Sequence, residues 1–183
     1  MSYYKVLSKP NGVRTRNYKG LYRYQPFPKN DKNKHFIELW QRYCEHYEND
    51  EENMGITTEL TIEELVEFAE LSTRILKEDY EVIFFSEMCE CPHQSDYYGI
   101  DVTGFGGYSM VGENFFRDSD KKGDGAHNLY DILNRHFRPK LNSYGLFNSV
   151  KDADSFLEVL NELADFVENE IWRIVHIFRV IAP

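Results

Sequence analysis

Four consecutive apolar residues at positions 82–85, Val-Ile-Phe-Phe, constrain the fold of this chain more than any other feature. Successive side chains of a β-strand point to opposite faces, so this run places large apolar groups on both faces of a sheet. Such a strand is stable only when both faces are covered, and residues 81–86 therefore predict a central strand. A chain of 183 residues is long enough to build one domain around it.

Helical segments are indicated by apolar residues at spacings of three and four. Asn33 is a candidate cap for a first helix, whose apolar stripe consists of Phe36, Leu39, Trp40, Tyr43, Cys44 and Tyr47. Thr61 and Glu64 have the spacing of a capping box, which predicts that a second helix begins there and continues to about Lys77. The two further predicted helices cover residues 129–137 and 156–167.

Strands are predicted by runs of β-branched and aromatic residues between turn signals. Besides the central strand, they cover residues 3–8, 13–18, 97–102, 108–111 and 171–181. The last of these has an ambiguous spacing, and its β-branched and aromatic content favours a strand over a helix. Because the strands occur in clusters, we expect an α+β fold, with a mixed or antiparallel sheet of about four to six strands and about four helices packed on it.

The net charge of −10 is distributed unevenly along the chain. Residues 1–35 contain nine Lys or Arg and one Asp, which gives +8, whereas residues 36–183 contain 12 basic and 30 acidic side chains, which gives −18. The length of the chain predicts a single domain over residues 1–183. In it, a basic, aromatic-rich N-terminal hairpin or arm, residues 1–35, accompanies an acidic body, residues 36–183.

Two acidic segments account for much of the negative charge. Residues 45–70 contain ten carboxylates and residues 152–170 contain seven, and neither segment contains Lys or Arg. Carboxylates at helical spacing repel one another and attract a cationic partner. We therefore expect a basic protein partner, whose contact residues would be Asp50, Glu51, Glu52, Glu63, Glu67, Asp154, Glu158, Glu162 and Asp165.

These features favour a non-enzymatic protein-binding module, such as an inhibitor. A small acidic protein without a recognisable active site is similar in general character to the immunity proteins that neutralise basic bacterial toxins, especially nucleases. The similarity implies a function of that class and transfers no residue roles. The alternative without a partner is that the acidity only keeps the protein soluble, while salt or the molecule's own basic segment screens the carboxylates.

An enzyme is the main functional alternative. Cys89, Cys91 and His93 place three soft metal ligands within five residues. Zinc takes four ligands, and the C-x-C spacing differs from the usual C-x2-C, so these residues are weak candidates for a metal site. The alternative function is therefore a metal- or thiol-dependent hydrolase with a site near residues 89–101.

Two other titratable side chains have a structural interpretation. Asp101 lies between Ile100 and Val102, and we expect it on the solvated side of an edge strand. His136 shares the apolar face of the helix predicted at 129–137, and we expect it in the core. Neither residue is therefore predicted to be catalytic.

Charge and hydropathy limit the remaining partners. Residues 14–34 interleave cations with aromatic rings, which is typical of nucleic-acid contacts, but the acidic remainder of the chain would repel a polyanion. No uncharged apolar run approaches the roughly 20 residues that span a bilayer, so no membrane partner is expected. Three cysteines and an opening without an apolar leader favour the cytoplasm. No motif predicts a cofactor, and the oligomeric state is left open.

Overall fold

Four strands and three α-helices form the part of the chain that the computed structural model describes. That part comprises residues 2–8, 33–48, 60–103, 135–162 and 173–181. In chain order the elements are β1 (Ser2–Ser8), α1 (Lys34–Glu48), α2 (Ile62–Leu76), β2 (Tyr80–Ser86), β3 (Ser95–Thr103), a 3-10 turn (Arg138–Lys140), α3 (Val150–Glu162) and β4 (Arg173–Val180).

The strands form one antiparallel sheet in the order β1-β2-β4-β3. The predicted central strand is β2, which pairs with β1 on one side and with β4 on the other. The ambiguous segment near the end of the chain is strand β4, as its β-branched content favoured. The α+β class is thus confirmed, and the antiparallel form of the predicted sheet is the one found. One helix fewer than predicted lies within the described ranges.

All three helices pack on the same face of the sheet, which we call the helix face. Val82 and Phe84 of β2 point to this face and pack with residues of α1 and α2, among them Phe36 and Phe68. Farther along the sheet, side chains of β3 pack with Phe156 of α3. The helices therefore divide the helix face into two apolar clusters, one under α1 and α2 and one under α3.

The opposite face, which we call the second face, is also buried. Its apolar cluster consists of Tyr3, Leu7, Ile83, Phe85, Tyr98, Leu146, Val175 and Ile177. Burial on both faces was predicted for β2 from its unbroken apolar run. It also applies to β1 and β4, because Leu7 of β1 and Val175 of β4 are buried on the second face while other residues of both strands enter the core under α1 and α2.

The predicted starts of α1 and α2 are confirmed. The side-chain oxygen of Asn33 accepts a hydrogen bond from the Phe36 N–H at 3.2 Å, so Asn33 caps α1. Thr61 and Glu64 form the reciprocal capping box of α2, in which each side chain accepts from the other residue's backbone N–H. The helix ends at Lys77, which adopts a left-handed conformation with φ of 61°.

One glycine in β3 has a conformation that other residues avoid. The register of β3 against β4 shifts between Tyr97 and Gly99, and Gly99 has a φ of 138°. A Cβ atom at Gly99 would lie 2.8 Å from Leu146 Cβ and 2.9 Å from the carbonyl oxygen of Phe147. The glycine therefore allows the segment around residue 147 to approach β3, where Phe147 and Ile100 exchange two backbone hydrogen bonds of 2.9 Å.

Several predictions fall at the edge of the described residues or beyond it. The predicted strands at 13–18 and 108–111 lie outside the described residues. Only the end of the helix predicted at 129–137 is described, and there the prediction for His136 was wrong, because its side chain is exposed. Among residues 135–140 only the Phe137 ring is buried, so this segment meets the core through Phe137 and leaves His136 exposed.

Candidate functional site

Helix α3 begins at a side-chain cap that also neutralises one carboxylate. Ser149 Oγ accepts a hydrogen bond from the Asp152 N–H at 3.2 Å and donates one to Asp152 Oδ2 at 2.7 Å. Lys140 Nζ lies 2.8 Å from Asp152 Oδ1. The hydrogen bonds from Lys140 and Ser149 lower the pKa of the Asp152 carboxyl below its ordinary value. Asp152 thus belongs to the framework of the helix.

The outward side of α3 carries carboxylates without such partners. Ala153 and Phe156 are fully buried and fix the inward side of the helix. Asp154 and Glu158, four residues apart, are exposed, and within the described part of the chain neither forms an ion pair. Val150 precedes Asp154 by one turn and is 45% exposed. We call Val150, Asp154 and Glu158 the acidic ridge.

Two carboxylates of α2 differ, because α1 supplies each of them with a basic side chain. Arg42 of α1 donates two hydrogen bonds to Glu64, at 2.7 Å and 3.1 Å, and these lower the pKa of the Glu64 carboxyl. His35 Nε2 lies 3.1 Å from Glu67 Oε1. Of the contact residues predicted on α2, Glu67 is therefore paired when His35 is protonated, whereas Glu63 is exposed.

The remaining predicted contact residues are only partly described. Asp50, Glu51, Glu52 and Asp165 lie outside the described residues, and Glu162 is described only as the end of α3. Helix α2 packs over β1 and β2, whereas α3 packs over β3 and β4. The structure therefore places the carboxylates of the two helices over opposite halves of the sheet, and within the described part of α3 the ridge carboxylates Asp154 and Glu158 have no ion-pair partner.

The predicted soft ligands lie together in the loop between β2 and β3, residues 87–94, which we call the C-x-C loop. Cys89 is exposed, Cys91 is half-buried against the core under α1 and α2, and both are free thiols. His93 Nε2 is hydrogen-bonded to Tyr4 Oη at 2.7 Å. Within the described ranges, no three side chains of His, Cys, Asp or Glu are arranged to hold a metal ion.

Two tyrosines of the helix face border the C-x-C loop. Tyr4 and Tyr97 lie at the ends of a row of rings that crosses the sheet. Burial raises the pKa of Tyr97 to about 12, with a further electrostatic contribution from Cys89. Burial also raises the pKa of Tyr4, and Cys91 adds to that shift. Each thiol is therefore near one phenol of the row.

A buried histidine partners Tyr97. His176 Nδ1 of β4 is hydrogen-bonded to Tyr97 Oη at 3.0 Å. Burial lowers the pKa of the His176 imidazole, so the neutral form is favoured in the folded protein. The pair resembles the hydrogen bond between Tyr4 and His93 at the opposite edge of the sheet, and in both pairs the imidazole is the hydrogen-bond partner of a phenol.

The second face contains a buried charge that sequence reasoning missed. Lys5 of β1 is 7% exposed, and its Nζ lies 5.3 Å from the ring centroid of Tyr3 and 5.6 Å from that of Phe85. Desolvation lowers the pKa of Lys5 to about 8, against an opposing contribution from Asp101. The sequence contained a clue. Tyr3, Lys5 and Leu7 are two residues apart in a predicted strand, so the Lys5 side chain shares one side of it with two apolar side chains.

The prediction for Asp101 was wrong. Its side chain is 4% exposed, on the second face opposite Val175. Asp101 Oδ1 accepts a hydrogen bond from the Val102 N–H at 2.8 Å. The neighbours Ile100 and Val102 are buried in the apolar cluster under α3. The error arose because β3 is an edge strand, and alternation cannot tell whether the second side of an edge strand is buried.

No protein-family model, no curated protein and no solved structure matched this chain when it was compared with all three. None of the described helices is both long and apolar enough to cross a bilayer.

Proposed function

We propose that this protein is a non-enzymatic binding module that captures a basic protein partner through the acidic ridge of α3. The observation that carries the proposal is the exposure of Asp154 and Glu158 at successive turns of one helix, without an ion pair in the described part of the chain. An inhibitor of the immunity-protein kind, which neutralises a basic toxin or nuclease, is the form of partner binding that the size and charge of the chain favour.

The electrostatics of the ridge support this proposal. Two carboxylates four residues apart on an exposed helix destabilise it by about 0.2–0.5 kcal/mol. A cationic partner would relieve this repulsion, and the net charge of −10 would steer such a partner toward the protein.

A charge-reversal experiment tests the ridge. The double variant Asp154→Lys/Glu158→Lys is compared with the double variant Glu38→Lys/Glu70→Lys, which changes the net charge equally at exposed positions of α1 and α2. Each protein is immobilised and exposed to a lysate of its own host cell. We expect the wild type and the control to retain a basic protein that high salt releases, and we expect the ridge variant to lose it.

The outcome depends on position if the ridge is the contact surface. Association with the purified partner should slow at least about ten-fold at low salt in the ridge variant, because the charges of an interface rim act mainly on the association rate. The stability of the ridge variant to urea should stay close to that of the wild type, because its two lysines, also four residues apart, repel each other as the two carboxylates did. Equal loss of binding in both double variants would show that net charge alone attracts the partner, and the ridge would then have no special role.

A thiol-dependent enzyme is the second proposal, because Cys89 is exposed in a loop bordered by hydrogen-bonded tyrosines and histidines. Its weakness is geometric: within the described ranges neither Cys89 nor Cys91 has a hydrogen bond to a histidine that would act as its base. The nucleic-acid alternative depends on residues 14–34, which lie outside the described residues.

A further inference from the structure

The backbone of the C-x-C loop turns at its first cysteine. The Met88 N–H donates a hydrogen bond to Ser86 Oγ at 3.1 Å, which ties the start of the loop to the end of β2. The Glu90 N–H donates to the carbonyl oxygen of Met88 at 2.8 Å. A hydrogen bond between residues two apart closes a three-residue turn, and Cys89 is its central residue.

The sequence spacing alone keeps the two cysteines near each other. Consecutive Cα atoms lie about 3.8 Å apart, so the Cα atoms of Cys89 and Cys91 cannot be more than about 7.6 Å apart. Disulfide bonds join Cα atoms that are about 4.4–6.8 Å apart. Both cysteines lie in the loop between β2 and β3, so a bond between Cys89 and Cys91 would join two residues of the same loop.

The two cysteines also differ in access. Cys89 is exposed, and the residues on either side of it, Met88 and Glu90, are exposed as well, Met88 by 67%. Cys91 is half-buried and packs against the core under α1 and α2. A reagent in solution should therefore react with Cys89 first, and the less accessible Cys91 lies two residues further along the chain.

We propose that Cys89 and Cys91 form a thiol–disulfide exchange site, in which Cys89 is the attacking thiol, Cys91 is the resolving thiol and low-molecular-weight disulfides are the substrates. The site is separate from the acidic ridge and does not depend on the proposed partner binding. Its oxidised form is the Cys89–Cys91 disulfide.

The chemistry proceeds in two exchange steps. The thiolate of Cys89 attacks one sulfur of the disulfide, forms a mixed disulfide and releases the other half as a thiolate. The thiolate of Cys91 then attacks the Cys89 sulfur and releases the second half. The protons lost by Cys89 and Cys91 are taken up by the two released thiolates. Two protein thiols are thus oxidised to one disulfide, and one small disulfide is reduced to two thiols.

The test uses glutathione disulfide and mass spectrometry. Because the chain has a third cysteine, Cys44, the reference protein is Cys44→Ser, to which Cys91→Ser or Cys89→Ser is added. We expect the reference protein to lose the mass of two hydrogens and to retain no glutathione, with peptide mapping that joins Cys89 to Cys91. With Cys91→Ser, one glutathione should remain on Cys89. With Cys89→Ser, the adduct on Cys91 should form about ten-fold more slowly, because Cys91 is less accessible.

Three results would overturn the proposal. The first is a reference protein that keeps glutathione on both cysteines without an internal disulfide. The second is a folded protein that does not react under conditions in which the urea-unfolded protein does. The third is a wild-type protein whose disulfide maps to Cys44. Circular dichroism of each variant verifies that the fold is retained, so that a failure to react is a property of the loop.

Discussion

Replacing Lys5 by methionine should stabilise this protein. Lys5 is 7% exposed, and its ammonium lies over the rings of Tyr3 and Phe85 without an ion pair to any described carboxylate. Methionine has a similar length and leaves no charge to desolvate. A charge in an apolar interior is costly unless it is paired, so an apolar side chain of similar volume at position 5 removes that cost.

The magnitude follows from the pKa of Lys5. Burial lowers that pKa from its ordinary value of 10.5 to about 8. The unfolded chain therefore binds the proton more tightly, and the folded protein loses about 3 kcal/mol of stability near pH 7 by carrying the charge. As pH rises from about 8 to about 10.5, the amine becomes neutral in both states and this loss disappears. The attraction of Asp101 for the ammonium is already contained in the shifted pKa.

Urea denaturation at a series of pH values measures this effect. The free energy of unfolding of Lys5→Met should exceed that of the wild type by about 2–3 kcal/mol near pH 7, and the difference should shrink steadily toward pH 10. Lys151→Met is the matched control, since Lys151 is exposed on α3 and its replacement should change little at any pH. A Lys5→Met protein that is no more stable than the wild type near pH 7, with a difference independent of pH, would refute the reasoning.

Three further predictions concern single positions. Thr61→Ala removes the hydroxyl of the α2 capping box and should lower stability by about 1 kcal/mol in urea denaturation, whereas Thr61→Ser should retain most of it. Gly99→Ala should lower stability by about 2 kcal/mol or more, because the residue has a φ of 138° and its Cβ would overlap Leu146; a variant with unchanged melting temperature would contradict the geometry. Between pH 7 and pH 5 the wild type should lose stability more steeply than His176→Gln, because burial lowers the folded pKa of His176 and the unfolded chain binds the proton first. Parallel pH profiles for those two proteins would show that His176 does not titrate as its burial requires.

The positions of the candidate site could be predicted only in part. Counting charged residues identified Asp154 and Glu158, because their spacing of four residues places them on one side of a helix and can be read from the sequence. It could not separate them from Glu67, which acquires His35 as a partner only when α1 packs beside α2. The turn at Cys89 was equally inaccessible, because it depends on a hydrogen bond from Glu90 to Met88 rather than on residue type.

Local patterns in the sequence determined the elements of this fold. The apolar run at 82–85 determined the central strand, and Thr61 with Glu64 determined where α2 begins, because both signals act over a few residues. Tertiary structure alone decided whether the second face of the sheet is covered or exposed to solvent. Lys5 and Asp101 are buried because the second face of the sheet is covered, and that depends on long-range packing that no short window of residues contains.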